Sequence, residues 1–185
     1  FGPLLGSTLI TAVDKCSGYG IGNLLPKGKS GLAAKIAEVA DLFKSKGHPI
    51  KVLKSDSEAA YKTYDLVKHV LRSRNIIPNY SAPYQKEYNG LAEVHHNIIR
   101  SKATAMMSCA LHLPQHFWVG AWYQAELVNN MRRSRMPGSY VTRYEEFNGE
   151  CPDFKKMVFC PFGHPVLYLV PKERRSSGLS PKGHL

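Results

Sequence analysis

Acidic residues are scarce in this sequence. Against 25 Lys and Arg it sets only 14 Asp and Glu in 185 residues, a formal charge of +11 and a pI near 9.6. That balance disfavours cationic partners and points to a polyanion, although a basic surface kept for solubility fits the charge as well. Cysteine is also sparse. Cys16, Cys109, Cys151 and Cys160 form no CxxC pair, which excludes a disulfide framework and suggests a reducing compartment, nucleus or cytosol. Cys160 and His164 have a ligand-like spacing, but no second Cys or His pair completes a zinc site. No uninterrupted apolar run approaches 18 residues, so no membrane helix is expected. The start, Phe1-Gly2-Pro3-Leu4-Leu5-Gly6, has neither the basic region of a signal peptide nor an initiator Met, and the chain is expected to be a fragment or a processed piece. Internal repeats and low-complexity tracts are absent.

What is present alternates between strand-like and helix-like stretches. Ser7 to Val13 is β-branched and apolar, Gly18-Tyr19-Gly20 marks a turn, and Ile21 to Leu25 reads as an antiparallel partner strand. Leu32, Ile36, Val39 and Phe43 recur at helical spacing from Leu32 to Lys46, and Gly47 supplies the stop. A strand from Ile50 to Lys54 ends at Ser55-Asp56. Tyr64 to Arg74 reads as a helix with Asn75 as its cap. Ile76 to Ser81 contains Pro78, which cannot donate a ladder hydrogen bond and so belongs on a sheet edge. Residues 82 to 89 form a loop, Gly90 to Leu111 a long helix, and Pro114 opens another that runs to about Arg135. Residues 139 to 185 are less regular, with one apolar strand from Pro165 to Val170 and a basic tail, Pro171-Lys172-Glu173-Arg174-Arg175. The order β-β-α-β-α-β-α-α is a mixed α/β pattern.

Two acids occupy positions where chemistry is done. Asp56 closes a strand, at the rim where α/β sheets place ligands; it equally suits the N-cap of a helix. Glu93 sits in the first turn of the long helix, where a carboxylate also complements the positive helix end. Its helical neighbours are His96, Asn97 and Arg100, a stripe of one carboxylate and three candidate phosphate contacts. Carboxylates on separate elements suit Mg²⁺, which prefers hard oxygen ligands, and a pair of such ions serves phosphoryl transfer.

The residues now reached resemble a family. Ala12-Val13-Asp14-Lys15-Cys16-Ser17-Gly18-Tyr19, Val52-Leu53-Lys54-Ser55-Asp56, the segment Ala82-Pro83-Tyr84-Gln85-Lys86-Glu87-Tyr88-Asn89-Gly90-Leu91-Ala92-Glu93, and Leu113-Pro114-Gln115-His116-Phe117-Trp118 follow one another as in the catalytic core of a Copia-type LTR retrotransposon integrase, a relative of retroviral integrases. Arg143-Tyr144-Glu145-Glu146-Phe147 and Val158-Phe159-Cys160-Pro161-Phe162-Gly163 resemble that family's post-core region. Asp56 and Glu93 are separated by residues 57 to 92, one residue more than in the family's D,D-35-E signature. In three respects the chain departs from the pattern. The family's first catalytic Asp belongs just upstream of Phe1, and Asp14 falls on the second strand, where a carboxylate is not catalytic. Ser57-Glu58 replaces the Asn-Gly usual after the second Asp. Val94 and Asn97 replace Arg residues beside the catalytic Glu.

The resemblance implies an RNase H-like fold, a five-stranded mixed sheet of order 3-2-1-4-5 flanked by helices, with its central first strand truncated here so that the chain alone does not complete the sheet. Residues 1–138 would form the core and 139–185 a basic C-terminal extension. It further implies DNA integration, by trimming of 3′ ends and strand transfer of element cDNA into host DNA. Asp56 and Glu93 would be catalytic and hold Mg²⁺ or Mn²⁺. His96, Asn97, Arg100, Lys102, Gln85 and Tyr84 would contact DNA, and Gly90 would be the hinge of the preceding loop. Partners would be DNA ends, target DNA and further copies of the chain, with no membrane, in the nucleus after a cytoplasmic particle stage. A non-catalytic relic of an integrase and an RNase H-type nuclease are the competing readings.

Overall fold

The computed structural model describes residues 8–25, 31–55, 65–80, 90–155, 160–165, 168–169 and 183–184. The expected order of elements is found, with shifted ends. Strand β1 (Thr8–Val13) pairs antiparallel with β2 (Gly20–Leu25), in a register that sets Thr8 opposite Leu25 and Val13 opposite Gly20. The turn between them is built by Asp14, whose Oδ2 accepts from both the backbone N–H and the hydroxyl of Ser17 at 2.6 Å. Gly18 lies in the left-handed region at φ +77°, where a side chain would be strained. Asp14 is thereby committed to the turn.

Helix α1 (Leu32–Ser45) follows, and then β3 (Val52–Ser55), α2 (Asp65–Ser73) and β4 (Ile77–Tyr80). β3 and β4 run parallel, as a helical crossover requires. Pro78 stands opposite Leu53, and β4 has β3 as its one strand neighbour among the described residues, the edge position a proline demands. A continuous five-stranded sheet is not formed among the described residues. The β1–β2 and β3–β4 pairs stand as separate two-stranded sheets, and a third short pair joins β5 (Tyr168–Leu169) to β6 (Gly183–His184).

Helix α3 (Gly90–Cys109) is long and mostly regular. The segment from Pro114 is not one helix to Arg135: a 3₁₀ turn (Gln115–Phe117) leads into α4 (Trp118–Asn130). α4 stops there because the chain beyond it pairs with another segment. Arg133 bridges Thr142 in antiparallel fashion, and Ser134 N–H donates to the Val141 carbonyl at 2.9 Å.

Helix α5 (Arg143–Asn148) lies in the stretch expected to be an irregular extension. Its N-terminus is a reciprocal cap: Thr142 Oγ1 accepts from Glu145 N–H at 3.1 Å, and Glu145 Oε2 accepts from Thr142 N–H at 2.6 Å. Phe147 is 1% exposed, stacked on Tyr19 at 4.3 Å and edge-on to Phe43 at 4.7 Å. Such burial contributes roughly 2–3 kcal/mol, so this segment is part of the core's packing. Two other apolar clusters are found among the described residues. One joins Leu25, Leu32, Ala40, Val67, Leu71 and Ile76. The other joins Ile99 and Ala103 of α3 to Ala121, Trp122 and Ala125 of α4. That second contact fixes which side of α3 faces inward and which faces out.

Candidate nucleic-acid and metal site

With Ile99 and Ala103 buried against α4, residues half a turn away on α3 are driven to the surface. Glu93 is exposed in the first turn, and a cavity of about 320 Å³ opens beside it, lined by Thr11, Ala92, Glu93, His96 and Asn97. Among the described residues the Glu93 carboxylate has no hydrogen-bond or ion-pair partner. Thr11 reaches the cavity from the middle of β1, and its buried Oγ1 is likewise without a partner among the described residues.

The rest of the stripe divides. Asn97 and Arg100 are exposed. His96 is half-buried, its ring 4.8 Å from that of Trp122. Burial first, and then the neighbouring Arg100 charge, hold its imidazole below the ordinary value of 6.5, so it is chiefly neutral at pH 7 and would meet a phosphate as an N–H donor. Lys102 falls about 180° around the helix from Glu93 at 100° per residue and donates to Asn129 Oδ1 at 3.0 Å. The structure therefore brings Glu93, His96 and Asn97 to one cavity, sets Arg100 beside His96, and sends Lys102 toward α4. Asp56, Tyr84 and Gln85 lie outside the described residues. Ser55, which precedes Asp56, is the last residue of β3 and is buried.

The inner side of α3 carries a polar seam that periodicity did not single out. His95 Nε2 lies 3.0 Å from Glu126 Oε2, with both side chains nearly inaccessible, 3% and 6% exposed. Beside them Asn130 Oδ1 accepts from Gly20 N–H at 2.9 Å and Asn130 Nδ2 donates to the Gly20 carbonyl at 2.8 Å. The seam is close-fitted. A Cβ on Gly20 would overlap the His95 ring and come within 2.8 Å of Glu126. A charged residue standing directly after the uncharged run Ala121-Trp122-Tyr123-Gln124-Ala125 was the available signal for Glu126. His95 carried none, standing one step off the stripe that begins at Glu93.

In donor chemistry the site fits a hard divalent cation, since a free carboxylate is the ligand such ions take. Among the described residues no group of three or more His, Cys, Asp or Glu is arranged to hold a metal, so Glu93 is the one described member of the expected pair. No helix among the described residues is long and apolar enough to cross a membrane.

No protein-family model matches the chain, and neither does any curated protein. Solved structures do. The crystal structure of the catalytic core domain of BIV integrase aligns with 76% of this chain and 85% of its own at 18% identity, TM-score 0.54. The HTLV-2 integrase catalytic core domain in complex with magnesium, in a trimeric form, aligns with 75% of this chain and 83% of its own at 19% identity, TM-score 0.55. A chain of the simian T-cell lymphotropic virus intasome in complex with PP2A regulatory subunit B56 gamma aligns over 96% of this chain at 17% identity, TM-score 0.59; the alignment spans 64% of that longer chain. At these identities the likeness is one of fold. The chain has the mixed α/β fold of retroviral integrase catalytic cores.

Proposed function

We propose that this chain is the catalytic core of a Copia-type retrotransposon integrase, acting in DNA integration by trimming 3′ ends and joining them to target DNA. The observation that carries the reading is the exposed, unpartnered Glu93 carboxylate. It opens α3 beside a cavity, on a fold shared with integrase cores. The competing tasks of a first-turn carboxylate, capping and pairing, are not what Glu93 does among the described residues. The basic balance of the chain favours the same class of partner.

Glu93 and Asp56 would hold Mg²⁺ or Mn²⁺ at one rim of an RNase H-like five-stranded sheet of order 3-2-1-4-5. Bound divalent ions supply activation of the attacking oxygen and stabilisation of the leaving one. The chain's own residues do the positioning. Arg100 and Asn97 donate to phosphate oxygens and fix the register of the strand. His96, neutral and backed by Trp122, donates without adding charge. Tyr84 and Gln85 contact the DNA end from a loop whose hinge is Gly90. Exposed Tyr123 and Leu127, one turn apart on α4, offer apolar surface to a second copy in a homo-oligomer. The working compartment would be the nucleus, where target DNA is.

A strand-transfer assay on the full-length protein with Mg²⁺ or Mn²⁺ tests the reading. Joined products that disappear in Glu93→Gln and Asp56→Asn support it. Cleavage without joining assigns the protein to the nucleases. Binding with no chemistry in any variant leaves the non-catalytic relic.

A further inference from the structure

Beyond the Glu93 cavity, the fold assembles a second group of cations from parts of the chain that lie far apart in sequence. The β1–β2 turn, the end of α4 and the start of α5 meet there. Arg135 N–H donates to the Ser17 carbonyl at 2.9 Å, and Arg143 N–H to the Arg132 carbonyl at 2.8 Å. Arg143 Nη1 donates to the Gly18 carbonyl at 3.3 Å and its Nε to the Arg133 carbonyl at 3.4 Å. Gly18 makes room for this convergence. A Cβ there would overlap the Arg135 side chain and come within 3.4 Å of Arg143 Nε. Lys102 joins from α3 through Asn129, the residue whose carbonyl accepts the Arg132 N–H at 3.2 Å.

Lys102, Arg132, Arg135 and Arg143 repel one another, while Arg133 lies over the Tyr140 ring at 4.8 Å and donates to the Ser139 carbonyl. None of the five has a carboxylate within ion-pair distance among the described residues. Arg143 is held below the ordinary guanidinium value, first by burial and then by Arg132 and Arg135. Lys102 is held below the ordinary ammonium value, first by burial and then by Arg132 and Arg143. The buried Glu126 carboxylate offsets this only in part, as the smallest influence on each. Repulsion of this kind disfavours the folded chain when nothing binds, and an anion relieves it. Arg132, Arg133 and Arg135 are exposed, so a ligand has access. The spread over several side chains suits a row of phosphates better than one small anion.

We propose that Lys102, Arg132, Arg133, Arg135 and Arg143 form a second DNA-backbone contact, distinct from the Glu93 cavity and reading no base sequence. Lys102 stands nine residues beyond Glu93, about 14 Å along α3 at 1.5 Å per residue, and on the other side of the helix. The inference rests on DNA being the partner and does not depend on catalysis.

The test is binding of the full-length protein to a labelled 20-base-pair duplex in EDTA, followed by fluorescence anisotropy between 50 and 200 mM NaCl. EDTA removes any metal-dependent contact at Glu93. The double variant R132Q/R135Q changes exposed side chains only, and its unfolding transition is compared with the wild type. The expected result is a log-affinity against log-salt slope shallower by roughly 2, with weakening that is uniform across duplex sequences. Glu93→Gln is expected to keep the wild-type slope, which separates failure of this contact from failure of the catalytic reading. A folded double variant with an unchanged slope overturns the proposal. So does an unchanged DNA slope accompanied by lost binding to vesicles of phosphatidylserine, which would assign the patch to a lipid surface.

Discussion

The two sides of helix α3 treat polar groups in opposite ways. On the inner side His95 is matched to Glu126, and across the same seam Asn130 answers both backbone groups of Gly20. On the outer side, two residues from His95, Glu93 faces a cavity with no partner among the described residues. Burying a polar group without a partner costs about 1–3 kcal/mol, and more for a charge, so most of the inner polar atoms are answered by the chain itself, while Glu126 Oε1 and Asn129 Nδ2 are buried without a partner among the described residues. An exposed carboxylate carries no such obligation and is available to a ligand. The contrast shows why a buried His–Glu pair here is architecture and an exposed Glu is the candidate for chemistry.

Substitutions on the two sides should therefore separate activity from stability. Glu93→Gln is expected to reduce strand transfer by at least about 100-fold, while thermal unfolding moves by less than about 0.5 kcal/mol, as for other exposed sites. His95→Leu should do the reverse first: it strands Glu126 and costs about 3 kcal/mol, a fall in Tm of roughly 6–12 °C measured by calorimetry. If His95→Leu leaves Tm unchanged and Glu93→Gln lowers it, the division is wrong.

Glycines sharpen the same comparison. Gly20→Ala would push a methyl into His95 and Glu126 and should cost about 1–3 kcal/mol. Gly90→Ala meets nothing within 4 Å among the described residues and should stabilise the helix start by up to about 1 kcal/mol. If Gly90 is a hinge, that variant loses strand-transfer rate while gaining stability, a split that melting curves and assay together detect.

Much of this layout was legible in the sequence. A β-branched apolar stretch and the Gly18-Tyr19-Gly20 turn located the β1–β2 hairpin, helix-like stretches located α1, α2 and α3, and Pro78 placed β4 at an edge. The spacing of Glu93, His96 and Asn97 put them on one face. Three things were not read. Helix α5 was missed although Thr142-Arg143-Tyr144-Glu145 carries a capping-box pattern and Gly149 a helix stop, because six residues are too few for periodicity to register. The length of α4 was overrun because its end is set by a partner strand segment, Thr142 against Arg133, far along the chain. The His95–Glu126 pair was invisible because pairing between helices is a tertiary fact that no local pattern encodes. Lys102 shows the same limit, grouped by sequence proximity with residues on the opposite side of its helix.

The smallest expected effects come from the α5 cap. Thr142→Ala should cost about 1 kcal/mol. Glu145 is held below the usual carboxylate value first by the backbone N–H of Thr142, so its folded pKa is depressed. Its stabilising effect is present above the ordinary value of 4.5 and is lost as pH falls through the lower folded value. The Tm difference between wild type and Glu145→Gln should accordingly hold at neutral pH and shrink in acid. A difference that grows on acidification contradicts the assignment.

The central proposal is that Glu93 and Asp56 share divalent cations. Titration of Mn²⁺ into the full-length protein with DNA present, followed by calorimetry, tests it without reference to turnover. The account predicts saturable binding that is weakened at least about 10-fold by Glu93→Gln and by Asp56→Asn alike. Binding of wild-type strength in both variants would contradict it.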